Sequence, residues 1–320
     1  MSAKIVVTQP VHAEIVERLR AAGHEVVDVG SPQGLSASEL RTLTAGADAL
    51  LSQLTDRLTA EVFEETSLKI VATIATGYDN IDVKAASAAG VVVTRTPGVL
   101  TDATADLAMT LMLAVARHLP SSDASVRASG STGPFKLLYE PMGIDISGAT
   151  IGIVGLGRIG EAVARRSHFG FGMRVLYTAR STHSVGFPAE RRSLEELLAE
   201  ADVVSLHAPL NDETRHMINV DTLSLMKPEA ILINTGRGGL IKEVDLAAAL
   251  QAGVIAGAGL DVFENEPDVH PDLLASGDRV VLTPHVGSAT AKTRLAMASL
   301  AADNILAVLA GDPPLSPVSV

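Results

Sequence analysis

The segment TIGIVGLGRIG, Thr150 to Gly160, restricts the fold of this chain more than any other. An apolar, β-branched run leads directly into G-x-G-x-x-G at Gly155, Gly157 and Gly160, and a helical stretch, EAVARRSHF, follows. In such a unit the first glycine permits the tight turn and the second lets the backbone approach a pyrophosphate. The third lets helix and strand pack closely. A helix starting there turns unpaired N–H groups and the positive end of its dipole toward phosphates. A merely structural turn is the bland alternative, but the next strand, MRVLYT, falls where a dinucleotide-binding unit requires it. Gly155, Leu156, Gly157, Arg158, Ile159 and Gly160 are therefore candidate coenzyme-binding residues.

Around this unit the chain alternates apolar strands with amphipathic helices, the pattern of a parallel sheet covered on both faces. A first series (KIVVTQ, EVVDVG, ALLSQ, LKIVATIA, VVVTR) fills the first hundred residues; Gly23, Gly46 and Gly90 fall at expected helix ends, and Ser36 with Glu39 fits a capping box. A second begins at Ala149 and runs through MRVLYT, DVVSLHAP, EAILINTG, VIAGAGLDV and DRVVLTP, predicting five or six strands. The fold class is α/β, with two doubly wound parallel-sheet domains. The stretch from Ser121 to Gly148 is weakly patterned and reads as a surface excursion or an oligomer contact.

With 320 residues, 47% of them hydrophobic, the chain can bury two cores. Its net charge of -12 repels polyanions, so neither nucleic acid nor an anionic membrane is expected as a partner. Cysteine is absent, which excludes disulfides and thiolate chemistry. The longest nearly apolar run read from the sequence, Leu107 to Ala116, is too short to cross a bilayer and reads as a buried helix that Pro120 stops. MSAKIVVTQP reads as a strand rather than a signal peptide, and the cytoplasm is the expected location.

The second strand of a dinucleotide unit ordinarily ends in an acid that accepts hydrogen bonds from the ribose of NAD. Here LYTARST places Ala179, Arg180, Ser181 and Thr182 there instead. A carboxylate would repel the 2′-phosphate of NADP, whereas an arginine and two hydroxyls can hold it. NADP(H) is the preferred coenzyme on this reading, with NAD(H) as the alternative.

Three further segments follow strands of the second series, where ligands of open α/β sheets gather. They carry Arg237 in INTGRGGLI, Glu266 in LDVFENEP and His285 in TPHVGSAT. Arg237 offers a planar fork to a substrate carboxylate, His285 exchanges a proton near neutral pH, and Glu266 can orient its ring. Singly, each is as readily a surface residue. A hydrolase lacks its G-x-S-x-G elbow, and the histidines lack zinc-ligand spacing.

In combination, TPGVLTDATAD, GLGRIG, HAPL, NTGRGGL, LDVFENEP and TPHVGSAT resemble the D-isomer-specific 2-hydroxyacid dehydrogenases, and among them the glyoxylate/hydroxypyruvate reductases. The resemblance implies a flavodoxin-like substrate domain of residues 1–100 and 288–320 and a Rossmann coenzyme domain of residues 101–287. The active site would lie in the cleft between them. Arg237, Glu266 and His285 would be catalytic; Gln53, Leu54, Thr76 and Gly77 would join Arg237 in holding the substrate. Thr104, His207, Pro209, Thr214, Thr235, Gly236, Asp261, His285 and Gly287 would meet the coenzyme. The family implies a homodimer with the helix from Asp102 in its contact, and no metal. Such reductases often carry Trp in the loop corresponding to FKLLYEPMGI; this chain has none, and Phe135, Leu138 or Tyr139 is expected to fill the space. SHFGFGM is one residue longer than the usual spacing.

The expected activity is NADPH-dependent reduction of glyoxylate, hydroxypyruvate or a similar 2-oxo acid to the D-2-hydroxy acid. The competing expectations are an NAD-dependent dehydrogenase of another small acid, formate or phosphite included, and a nucleotide-sensing scaffold like the corepressors that share this fold.

Overall fold

The computed structural model describes residues 2–138, 141–182 and 184–319. It divides into two compact units, Met1–Leu100 with Ser288–Val320, and Thr101–Gly287.

The first unit is built on five parallel strands, β1 (Lys4–Val7), β2 (Glu25–Asp28), β3 (Ala49–Ser52), β4 (Ile70–Thr73) and β5 (Val92–Thr94), in the order β2-β1-β3-β4-β5. This is the flavodoxin-like order expected from the sequence. β3 and β4 are buried at every position, which is why they read as unbroken apolar runs rather than alternating ones. Between the strands lie α1 (Ala13–Ala21), α2 (Ala37–Thr44), α3 (Ala60–Phe63) and α4 (Val83–Ala88). The capping box of α2 forms as read: Ser36 Oγ accepts the Glu39 N–H, and the Glu39 carboxylate accepts the Ser36 N–H at 2.9 Å.

The last helix, Ala291–Ala310, is long and apolar enough by composition to span a bilayer, and exceeds the run at Leu107 in this respect. It is a core helix of the first unit, burying Met297, Ala298, Ala301, Ala302 and Ile305 and packing on β3, β4 and α1. Buried Asn304 ties its end to the tail, accepting the Leu315 and Ser316 N–H groups at 2.9 and 3.0 Å.

The second unit opens with α5 (Thr101–Ala116) and α6 (Leu119–Ser129). Pro120 therefore ends one helix and sits in the first turn of the next, where its missing N–H costs nothing; part of the expected surface excursion is helical. The sheet follows: β6 (Thr150–Val154), β7 (Arg174–Thr178), β8 (Glu190–Arg191), β9 (Val203–Leu206), β10 (Ile231–Asn234), β11 (Gly257–Leu260) and β12 (Val280–Leu282). Its seven strands run in the order β12-β11-β10-β9-β6-β7-β8, every pairing parallel. The extra strand is β8, two exposed residues too short and too polar for a periodic signal. The small residues of β11 let α5 lie on the sheet: a Cβ on Gly257 would stand 2.8 Å from Val115 Cγ1, and one on Gly259 2.9 Å from Leu111 Cβ. The order reverses between β6 and β9, the switch point at which doubly wound sheets bind ligands.

Candidate active site

Beyond β6 the chain turns through Gly155, at φ +94°, into α7 (Arg158–Phe171). A Cβ at Gly155 would lie 2.6 Å from the Ala208 nitrogen, and one at Gly160 2.2 Å from the Gly155 carbonyl oxygen. A Cβ at Gly157 would meet nothing within 4 Å. Two of the three glycines are thus required by the protein's own packing. The middle one faces open space at a helix N-terminus, the cradle that a dinucleotide pyrophosphate fits. The Leu156 side chain belongs to the core, leaving only its backbone to face a ligand.

The chain beyond β9 comes back to this turn. His207 donates its N–H to the Val154 carbonyl at 2.7 Å, and its Nε2 lies 2.8 Å from Ser205 Oγ. Burial pushes its ring down to about 4, so it is neutral at physiological pH. Thr214 Oγ1 donates to the Pro209 carbonyl at 2.6 Å. Thr235 is buried, and the Gly236 N–H donates to Asn234 Oδ1 at 3.0 Å.

Asp261 organises the turn after β12. Its Oδ1 accepts Thr283 Oγ1–H at 2.6 Å and the Val286 N–H at 2.8 Å, and its Oδ2 accepts the Gly287 N–H at 2.8 Å. Gly287 lies beside Thr104: a Cβ there would stand 3.4 Å from Thr104 Cγ2. These bonds hold His285 at φ +52°, a left-handed conformation uncommon outside glycine. Its Nδ1 lies 2.8 Å from Glu266 Oε2, while Glu266 Oε1 accepts the Phe263 N–H at 3.0 Å.

Burial pushes the Glu266 carboxyl up, but the His285 bond and charge, the Phe263 N–H and the Arg237 charge together carry it below its ordinary value. The resulting stabilisation is complete above the ordinary 4.5 and is lost as pH falls through the lowered value. Arg237 itself precedes a single 3₁₀ turn, Gly238–Leu240; its Nη1 donates to the Gly236 carbonyl at 2.9 Å, and Asn234 Nδ2 donates to the Arg237 carbonyl at 2.9 Å. The three proposed reacting groups thus lie in one unit, with Glu266 in electrostatic reach of both Arg237 and His285.

Arg180, Ser181 and Thr182 follow β7 and are exposed. Arg180 Nη2 lies 3.1 Å from Glu213 Oε2, and Arg191 Nη2 donates to the Ala179 carbonyl at 2.9 Å. Neither Glu213 nor Arg191 was legible in the sequence, because each reaches the loop from a distant segment. In the first unit, Gln53 and Leu54 are half-buried after β3, and the Gln53 N–H donates to Asp56 Oδ2 at 2.8 Å. Thr76 Oγ1 donates to the Thr96 carbonyl at 3.1 Å, Gly77 follows in the same half-buried turn, and Arg95 Nη1 donates to the Thr76 carbonyl at 3.4 Å. Of the residues considered for the missing Trp, Phe135 and Leu138 are exposed and Tyr139 lies outside the described residues. Among the described residues no group of His, Asp and Glu has the arrangement to hold a metal ion.

Parallel sheet, switch point and glycine turn define a dinucleotide-binding domain. Residues 109–287 match the family model of the D-isomer specific 2-hydroxyacid dehydrogenase NAD binding domain. The chain is 46% identical to the glyoxylate reductase of Thermococcus onnurineus over 322 residues, covering 98% of this chain and 95% of that protein. It is 51% identical to that of Pyrococcus furiosus over 274 residues, 83% and 81% of the two chains. Among solved structures it is similar to an NADPH-dependent glyoxylate/hydroxypyruvate reductase from Sinorhizobium meliloti in complex with NADP and malonate. There the TM-score is 0.87 and the identity 35%, covering 100% of this chain and 97% of that one. The chain belongs to the D-isomer-specific 2-hydroxyacid dehydrogenase family and is glyoxylate reductase-like within it.

Proposed function

We propose that the protein reduces a small 2-oxo acid, glyoxylate or hydroxypyruvate, to the D-2-hydroxy acid with NADPH, and that His285 is the general acid. The observation that carries this is the 2.8 Å pairing of His285 Nδ1 with Glu266, near Arg237 and in the unit holding the glycine turn. The glycine turn would hold the dinucleotide, whose dihydronicotinamide, when bound, would supply the hydride that the carbonyl carbon accepts. Arg237 binds the substrate carboxylate and polarises the carbonyl. With Nδ1 committed to Glu266, His285 delivers its proton from Nε2 to the carbonyl oxygen, so that C=O becomes CH–OH. Glu266 remains a carboxylate and fixes the ring. Gln53, Leu54, Thr76 and Gly77 are assigned to substrate binding in this reading. Thr104, His207, Pro209, Thr214, Thr235, Gly236, Asp261 and Gly287 join the glycine turn in holding the coenzyme.

The preference for NADPH rests on Arg180, Ser181 and Thr182, with no acid ending β7. NADH has one observation in its favour, since Glu213 brings a carboxylate to Arg180. Arg180→Ala is expected to weaken kcat/KM for NADPH by about 1 to 3 kcal/mol, the range for a hydrogen bond to a charged group, and to leave NADH little changed. Steady-state kinetics with both coenzymes read this directly, and an equal loss with both removes the phosphate-clamp assignment.

The working unit in this reading is a homodimer. Phe135, Leu137, Leu138 and Met142 support it, all well exposed on one segment and apolar enough to be covered by a second subunit.

A further inference from the structure

Two residues before Glu266 lies a second carboxylate–imidazole group that the proton transfer does not use. Glu264 and Glu243, which opens α10 (Glu243–Ala252), exchange backbone bonds. The Glu264 N–H donates to Glu243 Oε1 at 2.7 Å, and the Glu243 N–H donates to Glu264 Oε2 at 3.3 Å. His216 Nε2 lies 2.6 Å from Glu264 Oε1. His216 is itself fixed, at φ +53°, by donating its N–H to the Gly239 carbonyl at 2.8 Å and accepting Asn219 Nδ2–H at 2.9 Å.

These bonds converge on the segments that carry the reacting groups. Gly238 and Gly239 directly follow Arg237, and Phe263 and Glu264 directly precede Asn265 and Glu266. The two segments touch so closely that a Cβ at Gly238 would lie 1.8 Å from the Phe263 carbonyl carbon.

Glu243 is only 3% exposed, and burial is the foremost influence pushing its carboxyl up. The Glu264 charge acts in the same direction, against backbone bonds from Glu264 and His270. Holding two carboxylates together in this way costs stability that packed apolar side chains would not. What the carboxylates add is direction, because each receives a particular backbone N–H and His216 meets one of their oxygens.

We propose that Glu243, Glu264 and His216 form a positioning latch. It holds the Arg237 turn and the Glu266 segment in register, so that the Glu266–His285 pair meets the substrate carbonyl in alignment. The inference rests on the reading of His285 as the general acid, so His285→Ala is measured beside the latch variants. Misalignment of reacting groups is felt in the chemical step, so His216→Ala is expected to lower kcat about tenfold or more while leaving the KM for NADPH unchanged. His216→Gln, which keeps an N–H donor toward Glu264, is expected to recover most of the loss. The pH profile of kcat should shift with His216→Ala and return with His216→Gln.

A wild-type kcat and pH profile in His216→Ala overturns the latch. So does a loss that His216→Gln leaves unrepaired and that tracks Tm across the variants. Should His216→Ala not fold, Glu264→Gln carries the comparison, keeping the shape and removing the charge that His216 meets: reduced kcat at unchanged KM supports the latch, and wild-type kcat overturns it. If His285→Ala turns over normally, the reading of the site fails first. If it is inactive while the latch variants are normal, the latch alone fails.

Discussion

His285→Ala is expected to lower kcat for 2-oxo acid reduction by about 10²-fold or more, the scale of a lost general acid, while NADPH still binds. The glycine turn and the Arg180 loop, which are proposed to hold the coenzyme, are separate from the imidazole, so the loss is expected to fall on the chemistry. The protein has built the conformation of this residue deliberately: three bonds to Asp261 from Thr283, Val286 and Gly287 hold a non-glycine residue at φ +52°. Such strain persists where the surroundings over-determine it. On the proposed mechanism, alanine would occupy the same backbone without the proton donor, leaving only polarisation by Arg237. Stopped-flow or steady-state kinetics check the prediction, with coenzyme titration by fluorescence confirming that binding survives. Near-wild-type turnover removes His285 from the mechanism.

The second large effect separates two glycines of one turn. Gly160→Ala places a methyl group 2.2 Å from the Gly155 carbonyl oxygen, a backbone atom that cannot turn aside as a side chain could, so the start of α7 must move away from β6. A stability loss of about 1 to 3 kcal/mol or more is expected, the range for overpacking a close contact, together with loss of coenzyme binding. Gly157→Ala meets no protein atom within 4 Å and should leave Tm unchanged. It should nonetheless raise the KM for NADPH about tenfold or more, because the added methyl keeps the pyrophosphate from its backbone partners; tenfold corresponds to about 1.4 kcal/mol. Thermal unfolding and coenzyme kinetics on the pair distinguish packing from binding. An unchanged KM in Gly157→Ala would place the pyrophosphate elsewhere.

Much of this was legible in the sequence for reasons that are local. Parallel strands buried on both faces announce themselves as unbroken apolar runs, as ALLS and IVAT do. The glycine turn is visible because strand, turn and helix are contiguous, and the Ser36 and Glu39 capping box because its partners are three residues apart. Features that depend on tertiary contacts were not legible. The two-residue β8 has no period to detect, and Pro120 signals the end of α5 without showing that α6 begins at Leu119. In the site, Arg237, Glu266 and His285 stand out through their segments. Glu213, His216 and Glu243 do not, because their partners lie 33, 48 and 21 residues away in sequence. No spacing rule reaches across a sheet in that way.

On the proposed mechanism, the hydride passes directly from NADPH to the carbonyl carbon of a 2-oxo acid. This step is tested most directly by incubating the enzyme with glyoxylate and NADPH deuterated on the transferred face of C4, and examining the glycolate by mass spectrometry and NMR. Direct transfer leaves one deuterium at C2 of the product and none lost to solvent. Absence of turnover with glyoxylate and hydroxypyruvate alike, or glycolate formed without the label, would contradict it.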